Sequence, residues 1–339
     1  MRNLSNQNKP SEFLPRIGID LLGSDISFSK LIDTVLLAHE KLSHRAEFLI
    51  FTTKDLVPEN FPSTIKVILV DECINMDDSP LTVLRKKKNS SIGKGIRMMK
   101  EDLIDVFISS GNSGAIVAAA KTILKTIKGI NKVAFMTLIP AKDKRVAVLD
   151  VGANVKHKPQ DMLQFAHMGI AYQKTLGIRE PTVGLLNIGS EAIKGTPEHR
   201  AAHLMLQKLN NNTPHKVFIG NIEGRDVFQG PVDVLVTDGF TGNVFLKTSE
   251  GMASFLLDQI YTEMKHSSLC TPKLLEALAD YEKKLDYSEY PGAILCGVKG
   301  LVIKFHGSSH PKALLKSIEA AIQLYEQDFI EKISTELFR

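Results

Sequence analysis

The chain has 339 residues, of which 43% are hydrophobic and 24% charged, and this balance excludes a disordered protein. Its 42 lysines and arginines against 38 aspartates and glutamates leave a formal charge of +4, far from the strongly basic balance of a duplex-binding protein. With 6% aromatic residues and no tryptophan it also has little material for stacking on bases, so we expect no nucleic-acid partner.

The polar start of the chain and its cysteines predict a cytoplasmic protein with a short tail. The first fifteen residues lack the apolar core of a signal peptide, so we expect 1–15 to be disordered and 16–339 to form the folded part. No stretch approaches the roughly 18 apolar residues that cross a membrane. Cys73, Cys270 and Cys296 are far apart and form no disulfide or metal pattern, as is typical of a reducing compartment.

Short apolar runs separated by helical patterns predict an α/β fold with a mostly parallel sheet. The predicted strands are 16–20, 48–52, 65–70, 105–109, 146–151, 182–187, 216–220 and 233–237. The predicted helices lie near 27–42, 90–102, 113–127, 159–176, 196–209, 243–264, 272–284 and 310–336. Because the runs are apolar throughout, we expect helices on both faces of the sheet. Two α/β lobes, one long sheet with an appended part and, as a competing layout, a TIM barrel all fit this length.

Glycine and polar residues cluster in four turns, each directly after an apolar run. These turns are 108–114, 149–154, 186–191 and 236–243. In an open α/β sheet, ligands bind outside the carboxyl ends of strands, where glycines admit a ligand to the backbone and helix N-termini favour an anion. Each turn alone is also what ordinary loop and helix-cap chemistry requires. Taken together, the four turns predict one anion-binding face.

Motifs for nucleotides, metals and covalent catalysis are absent from the sequence. No GxGxxG follows a predicted strand, and no GxxxxGK[ST] or HExxH occurs. Residues 111–115 come near a nucleophile elbow, but an alanine stands where GxSxG requires its second glycine. His157, His167, His199 and His203 are scattered, and we expect them to be structural or on the surface. We therefore expect neither a metal nor a cofactor.

One segment carries much of the positive charge. Residues 85–100 contain seven lysines and arginines and no acid, so the rest of the chain is mildly acidic. Such a run is typical of a solvated helix face, and it is also what a landing site for an acidic partner requires.

Several stretches of the chain match strings that occur together in one protein family. They are 19–25, 85–91, 110–115, 128–130, 149–154, 183–189, 218–221, 236–243 and 306–309. The strings LDVGAN and VTDGFTGNV among them are far more specific than a three-residue pattern. The chain thus resembles the bacterial phosphate acyltransferase family known as PlsX, from about residue 16 to residue 330. It departs from the family's first turn, DAMGGD, because Ser24 replaces the second glycine.

The resemblance implies a fold like that of phosphotransacetylase and isocitrate dehydrogenase, with two lobes around a cleft and a homodimer. It also implies that a fatty acyl group passes from acyl-acyl carrier protein to inorganic phosphate, giving acyl-phosphate for phospholipid synthesis. Phosphate is already anionic and the leaving thiol has a pKa near ~8.5, so stabilising charge matters more than strong acid catalysis. We expect direct transfer, with no acyl-enzyme and no cofactor.

The resemblance also assigns roles to individual residues. Lys194 is expected to hold phosphate or the developing oxyanion and Asn243 to orient the same group, although Lys194 alone would be taken for a surface lysine. The residues expected to cradle phosphate are Gly111, Asn112, Ser113 and Gly114. Those expected to order the lysine, the turns, the substrate or a bound water are Asp150, Asn154, Asp238, Gly239, Thr241, Gly242 and His306. For His306 a structural role is an equal alternative.

Acyl carrier protein is acidic, so we expect it to dock on a basic complement formed by Arg85, Lys86, Lys87 and Lys88. Apolar residues in 245–284 are expected to lie in a dimer interface. A peripheral contact with the inner face of the cell membrane, near a membrane glycerol-3-phosphate acyltransferase, is the alternative. Two other functions stay open at this point, a phosphotransacetylase acting on acyl-coenzyme A and a non-catalytic scaffold that binds acyl carrier protein.

Overall fold

A computed structural model of the chain describes residues 14–338 except 25, 59–60, 212, 266–270, 286–289 and 306–310. His306 and most of the predicted tail therefore lie outside the described residues. None of the helices in the described ranges is long and apolar enough to cross a membrane.

The described residues form one sheet with helices around it. The strands are β1 (Arg16–Asp20), β2 (Glu47–Thr52), β3 (Lys66–Leu69), β4 (Val106–Ser109), β5 (Ala134–Pro140), β6 (Arg145–Leu149), β7 (Val183–Asn187), β8 (Phe218–Glu223), β9 (Val234–Val236), β10 (Ala293–Cys296) and β11 (Leu301–Lys304). The helices are α1 (Phe28–Leu42), α2 (Thr82–Arg85), α3 (Ser91–Lys100), α4 (Ser113–Ala119), α5 (Pro159–Thr175), α6 (Pro197–Gln207), α7 (Gly239–Lys265), α8 (Pro272–Leu285), α9 (Lys312–Glu326) and α10 (Phe329–Leu337). This arrangement confirms the predicted α/β class with a mostly parallel sheet.

The sheet has the order β3-β2-β1-β4-β11-β10-β5-β6-β9-β7-β8. Neighbouring strands are parallel from β3 to β11 and again from β6 to β8. Between these two groups, the pairs β11–β10, β10–β5 and β5–β6 are antiparallel. Three reversals leave the strands of one group pointing opposite to those of the other, so their carboxyl ends lie at opposite edges of the sheet.

Apolar residues cover both faces of the sheet. Successive side chains of a strand point to opposite faces, and in β4 Val106 and Ile108 join one buried apolar cluster whereas Phe107 joins the other. All four residues of β4 and all three of β9 are buried. Burial on both faces is why these runs are apolar throughout, and an open sheet that continues through both strand groups excludes the TIM barrel.

The eight predicted strands are all present, but three further strands escaped prediction. Short turns without a helix join the missed strand β5 to β6, at 141–144, and the missed strands β10 and β11 to each other, at 297–300. Strand–helix alternation therefore does not mark them. They are also the strands that reverse the direction of the sheet and join its two parallel groups into one.

The predicted helix at 310–336 is wrong in one respect, because the chain forms two helices there. α9 ends at Glu326 and α10 begins at Phe329, while Asp328 between them has a φ of 51°. That left-handed conformation cannot continue a right-handed helix. The apolar pattern runs through the break because both helices pack on the same core.

Candidate active site

The four glycine-rich turns do not all lie at one edge of the sheet. Strands β6, β7 and β9 are mutually parallel, so the turns after them share an edge. Strand β4 points the other way, so the turn at 108–114 lies at the opposite end of its strand. Ser113 nevertheless lines the same cavity as Gly152 and Asn243. The cavity therefore lies across the sheet, where the two strand groups meet.

The turn after β6 is organised around the carboxylate of Asp150. Its oxygens accept hydrogen bonds from the backbone N–H groups of Phe135, Gly152, Ala153 and Asn154 at 2.9–3.0 Å, and from Asn154 Nδ2 at 2.7 Å. Burial raises the pKa of this carboxyl, and the five donors oppose that rise by favouring the charged form. In this structure Asp150 and Asn154 order the turn.

Two glycines let the start of α7 approach this turn. A Cβ on Gly239 would overlap the carbonyl oxygen of Asn154, and a Cβ on Gly242 would overlap that of Asp150. Gly152, on the other side of the contact, has a φ of 130°, which side-chain-bearing residues rarely adopt. The glycines of both matching strings therefore serve the packing of helix against turn, which brings Asn243 next to Gly152.

Asp238 forms the N-terminal cap of α7. Its Oδ1 accepts hydrogen bonds from the backbone N–H groups of Phe240 at 3.0 Å and Thr241 at 2.9 Å. Its Oδ2 lies 3.8 Å from Nε2 of His199, on α6. The predicted substrate residues Asp238 and Thr241 thus meet in a helix cap, and Asp238 also faces the segment that carries Lys194.

A pair of histidines beside Asp238 was not predicted to be part of the site. The rings of His157 and His199 meet edge to face, with centroids 5.8 Å apart. Burial lowers the pKa of His199, against the attraction of Asp238. Within the described part of the chain, neither ring nitrogen of His157 has a hydrogen-bond partner. The sequence offered no signal for this pair, because its members are 42 positions apart and match no motif.

Asn243 lies in the second turn of α7 and is exposed at the cavity. A Cβ added to Gly152 would lie 3.5 Å from its side-chain oxygen. The amide thus sits directly above the turn that Asp150 holds. Its position fits the predicted role of orienting a group bound between helix and turn.

Lys194 lies on the same edge as Asn243 but outside the cavity. It is exposed, in the segment between β7 and α6, and the side-chain amide of Asn187 donates to its backbone carbonyl at 3.2 Å. Gly195 follows it with a φ of 87°, packed against Asn187. The backbone at Lys194 is thus held by the end of β7, while its ammonium group is exposed.

At the turn after β4, the side chain of Asn112 is fully engaged. Its Nδ2 donates to the carbonyls of Asn75, Met76 and Asp78 at 2.9–3.2 Å, and its Oδ1 accepts from the N–H of Ala115 at 3.0 Å. The Asn112 amide therefore clamps the 75–78 loop onto α4 and is occupied in this structure.

Of the other predicted residues of this turn, two glycines are engaged by neighbouring groups and one serine faces the cavity. The N–H of Gly111 donates to Ser109 Oγ at 3.0 Å, and Gly114 packs against Pro80. Ser113 is the residue of the set that lines the cavity.

A fully buried carboxylate under this turn had been assigned no role. Asp20, at the end of β1, accepts hydrogen bonds from the N–H of Leu22 at 3.0 Å and from Ser109 Oγ at 2.8 Å. Burial raises the pKa of Asp20 to about 6. Ser110 beside it is also buried, and its hydroxyl has no partner among the described residues. The available signal was an acidic residue directly after the apolar residues Ile17 and Ile19 of β1.

The basic segment contains charges of two kinds. Arg85, Lys86 and Lys88 are exposed. Lys87 instead forms an ion pair with Asp78 at 2.7 Å and donates to the carbonyl of Cys73 at 3.1 Å. Of the four residues expected to dock the carrier, the structure thus leaves Arg85, Lys86 and Lys88 exposed and uses Lys87 to hold a loop.

The cavity has a volume of about 800 Å³, in the upper part of the range for small-molecule sites. Asn154 and Asn243 line one end of it beside Gly152, and Ser113 lines it from the turn after β4. Across the described residues, no three histidine, cysteine, aspartate or glutamate side chains are grouped as a metal site requires. Both N–H groups of the Asn154 amide already donate, to the carbonyl of Val133 and to Asp150. Asn243 and Ser113 can donate hydrogen bonds to an anion and to a developing oxyanion.

Sequence comparison places the chain in a family. The family described as fatty acid synthesis protein matches residues 15–332. The phosphate acyltransferase of Chlamydia felis is 39% identical over 332 residues, covering 95% of this chain and 99% of the relative. The chain belongs to this family of phosphate acyltransferases. Another member, the phosphate acyltransferase of Chlamydia abortus, is 41% identical over 332 residues, with the same coverage of 95% and 99%.

Structural comparison agrees with the fold that the resemblance implied. A phosphotransacetylase from Streptococcus pyogenes superposes with a TM-score of 0.58 at 17% identity, covering 94% of each chain. At this identity the likeness concerns the fold alone. The expected phosphotransacetylase-like fold is thereby confirmed.

Proposed function

We propose that this chain transfers a fatty acyl group from acyl-acyl carrier protein to inorganic phosphate, giving acyl-phosphate for phospholipid synthesis. The observation that carries the proposal is the cavity of about 800 Å³ lined by the hydrogen-bond donors Asn243 and Ser113, in a member of the phosphate acyltransferase family. These donors suit phosphate and the reacting carbonyl, and the remaining volume suits the rest of an acyl substrate.

In the proposed reaction, an oxygen of phosphate attacks the carbonyl carbon of the thioester. A carbon–oxygen bond forms, the carbon–sulfur bond breaks, and the carrier leaves as a thiolate. Because phosphate is already anionic, no general base is required. The protein contributes position and stabilises the oxyanion that develops on the carbonyl oxygen.

Asn243 is the proposed donor to this oxyanion or to phosphate, since its amide is exposed beside Gly152. Ser113, at the start of α4, faces the same cavity and is the proposed contact from the other strand group. Lys194 is proposed to bring its positive charge to phosphate once substrate is bound. Its segment reaches the start of α7 through the contact between His199 and Asp238.

The exposed charges of the basic segment are the proposed docking site for acyl carrier protein. They follow the 75–80 stretch, which Asn112 clamps to α4 and in which Pro80 packs against Gly114. A carrier bound at Arg85, Lys86 and Lys88 would therefore sit beside the helix that presents Ser113 to the cavity. Acidic helices are the complement that such a surface attracts.

The apolar side chains exposed on α7 and α8 support a proposed homodimer, with contact to the inner face of the cell membrane as the alternative. They include Met252, Phe255, Leu256 and Ile260 on α7 and Leu274 and Leu275 on α8, each more than 40% exposed. We propose that the enzyme works in the cytoplasm and passes its product to a membrane glycerol-3-phosphate acyltransferase. Light scattering of the free protein and its flotation with anionic vesicles separate the two uses of this surface.

The central experiment measures phosphate-dependent release of free acyl carrier protein. Hexadecanoyl-acyl carrier protein is incubated with the chain, with radiolabelled inorganic phosphate or without phosphate. Labelled acyl-phosphate is extracted into organic solvent, and free carrier is measured by its thiol. We expect carrier and acyl-phosphate to appear in equal amounts, and only with phosphate. Absence of both products would overturn the proposal.

The same assay tests the two alternatives. Faster turnover of hexadecanoyl-coenzyme A than of the carrier thioester would indicate a phosphotransacetylase. Binding of the carrier without any thioester loss would indicate a scaffold. Asn243→Ala, assayed in parallel, ties any turnover to the cavity.

A further inference from the structure

The cavity extends far beyond Asn243, along one face of α7. The residues of α7 that line it are Asn243, Leu246, Lys247, Glu250, Ala253, Ser254 and Leu257. Their spacing of three and four positions places them on one face of the helix. At 1.5 Å per residue, the 14 steps from Asn243 to Leu257 span about 21 Å. The cavity is therefore an elongated groove with the Asn243 amide at one end.

The walls facing this stripe include several apolar side chains. Phe135 and Leu138 of β5 form part of the sheet side, and Tyr290 lies beside β10. Leu285, at the end of α8, lies with Leu257 among the residues that line the cavity. An apolar ligand in the groove would remove these side chains and itself from water, at about 25 cal/mol per Å² of apolar surface.

The charged side chains along the groove have partners. Lys247 Nζ lies 3.3 Å from a carboxylate oxygen of Glu250, one turn further along α7. Glu282 of α8 accepts a hydrogen bond from the hydroxyl of Tyr261 at 2.6 Å. Because Glu250 and Glu282 already have partners, an alkyl chain bound beside them would not leave either carboxylate unpaired.

We propose that this groove holds the alkyl chain of the acyl substrate, with the carbonyl at Asn243 and the methyl end toward Leu257 and Leu285. The inference rests on the proposed function. Ala253 is the smallest side chain of the stripe and lies about 15 Å from Asn243 along the helix. Its size admits long chains past this point, so Ala253 is a specificity-determining residue.

The test compares two chain lengths in Ala253→Phe. An extended chain advances about 1.2 Å per bond, so an octanoyl group reaches about 8 Å and a hexadecanoyl group about 18 Å. The new ring should block only the longer one. We expect kcat/KM for hexadecanoyl-acyl carrier protein to fall at least about tenfold, while that for the octanoyl carrier stays within about twofold. Equal effects on both lengths, or none, would overturn the inference.

Two further variants separate this effect from misfolding and from a failed proposal. Thr248→Phe adds the same ring at an exposed position of α7 that does not line the groove, and should change neither rate. Leu257→Ala lengthens the groove and should raise the rate with octadecanoyl relative to hexadecanoyl carrier, a gain that damage to the fold does not produce. If the unaltered chain turns over no acyl carrier of any length, the proposed function itself fails.

Discussion

The turn after β6 and the segment after β7 lie at the same edge of the sheet but differ in how their polar groups are used. In the turn, Asp150 is buried and accepts five hydrogen bonds, so its carboxylate belongs to the scaffold. In the segment, Lys194 is exposed, and its neighbours Ile188 and Ile193 are 81% and 78% exposed. One region is complete without a ligand, whereas the other leaves exposed a side chain that we propose binds one.

From this difference we infer which residues build the proposed site and which act in it. A buried polar group with all its partners holds geometry, because leaving any partner unpaired costs free energy. An exposed amide or ammonium group beside a cavity can bind substrate at little structural cost. The comparison predicts that substitutions of the first kind lower stability and those of the second kind lower activity.

The largest effect is expected from removing the exposed groups. Asn243→Ala should lower kcat/KM for acyl transfer to phosphate by about 100-fold or more, as the loss of one oxyanion donor does. Lys194→Ala should lower it by a comparable factor. The free energy of unfolding should change by less than about 0.5 kcal/mol in both, because both side chains are exposed.

Steady-state kinetics and urea denaturation of the same preparations measure both quantities. Thr248→Ala is the matched control, since it is exposed on α7 and does not line the cavity. Activity close to the unaltered level in Asn243→Ala and Lys194→Ala alike would contradict their proposed roles. Loss of activity in one variant only would mean that this side chain alone stabilises the developing oxyanion.

Asp150→Ala tests the other side of the comparison. It would leave four backbone N–H groups and the Asn154 amide without their acceptor in a buried turn. We expect the free energy of unfolding to fall by about 3 kcal/mol or more, measured by urea denaturation. Asp150→Asn, which keeps one acceptor oxygen, should lose less. A stability close to that of the unaltered chain in both variants would mean that the turn is held by other contacts.

Asp20 is a second buried carboxylate, and its effect on stability should depend on pH. Burial raises its pKa from 3.8 to about 6, so the folded state binds its proton more tightly than the unfolded state. The resulting stability is present below pH 3.8 and is lost as pH rises through 6. With 1.36 kcal/mol per tenfold change, the stability of the unaltered chain relative to Asp20→Asn should fall by about 3 kcal/mol between pH 3.8 and pH 7.

Urea denaturation of both chains at a series of pH values measures this difference. Asp105→Asn is the control, because Asp105 is paired with Arg16 and only partly buried. A difference between Asp20→Asn and the unaltered chain that does not vary with pH would contradict the raised pKa.

The sequence predicted the strand–helix alternation and both glycine-rich strings of the site, because buried strands and close backbone approaches leave a local signal. It did not predict the direction of β4 relative to β6, because that direction depends on the missed strands β5, β10 and β11. Short turns join β5 to β6 and β10 to β11, so strand–helix alternation does not mark these strands. It also missed that the Asn112 amide is engaged by the 75–78 loop, a contact across more than 30 positions. Contacts distant in sequence decide whether a polar residue is part of the scaffold or available to a ligand.

The basic segment repeats the comparison on a smaller scale. Lys86 and Lys88 are exposed, and reversing both to glutamate should raise the KM for acyl carrier protein about fivefold, since each surface charge contributes less than about 1 kcal/mol. The increase should shrink at high salt, which screens exposed charges.

Lys87 is the internal control, because it is paired with Asp78, and that pairing holds the pKa of Asp78 below its usual range. Lys87→Gln should lower the melting temperature and leave KM within about twofold of the unaltered value. If Lys87→Gln raises KM as much as the double reversal does, the fold of the loop and not its exposed charge governs docking.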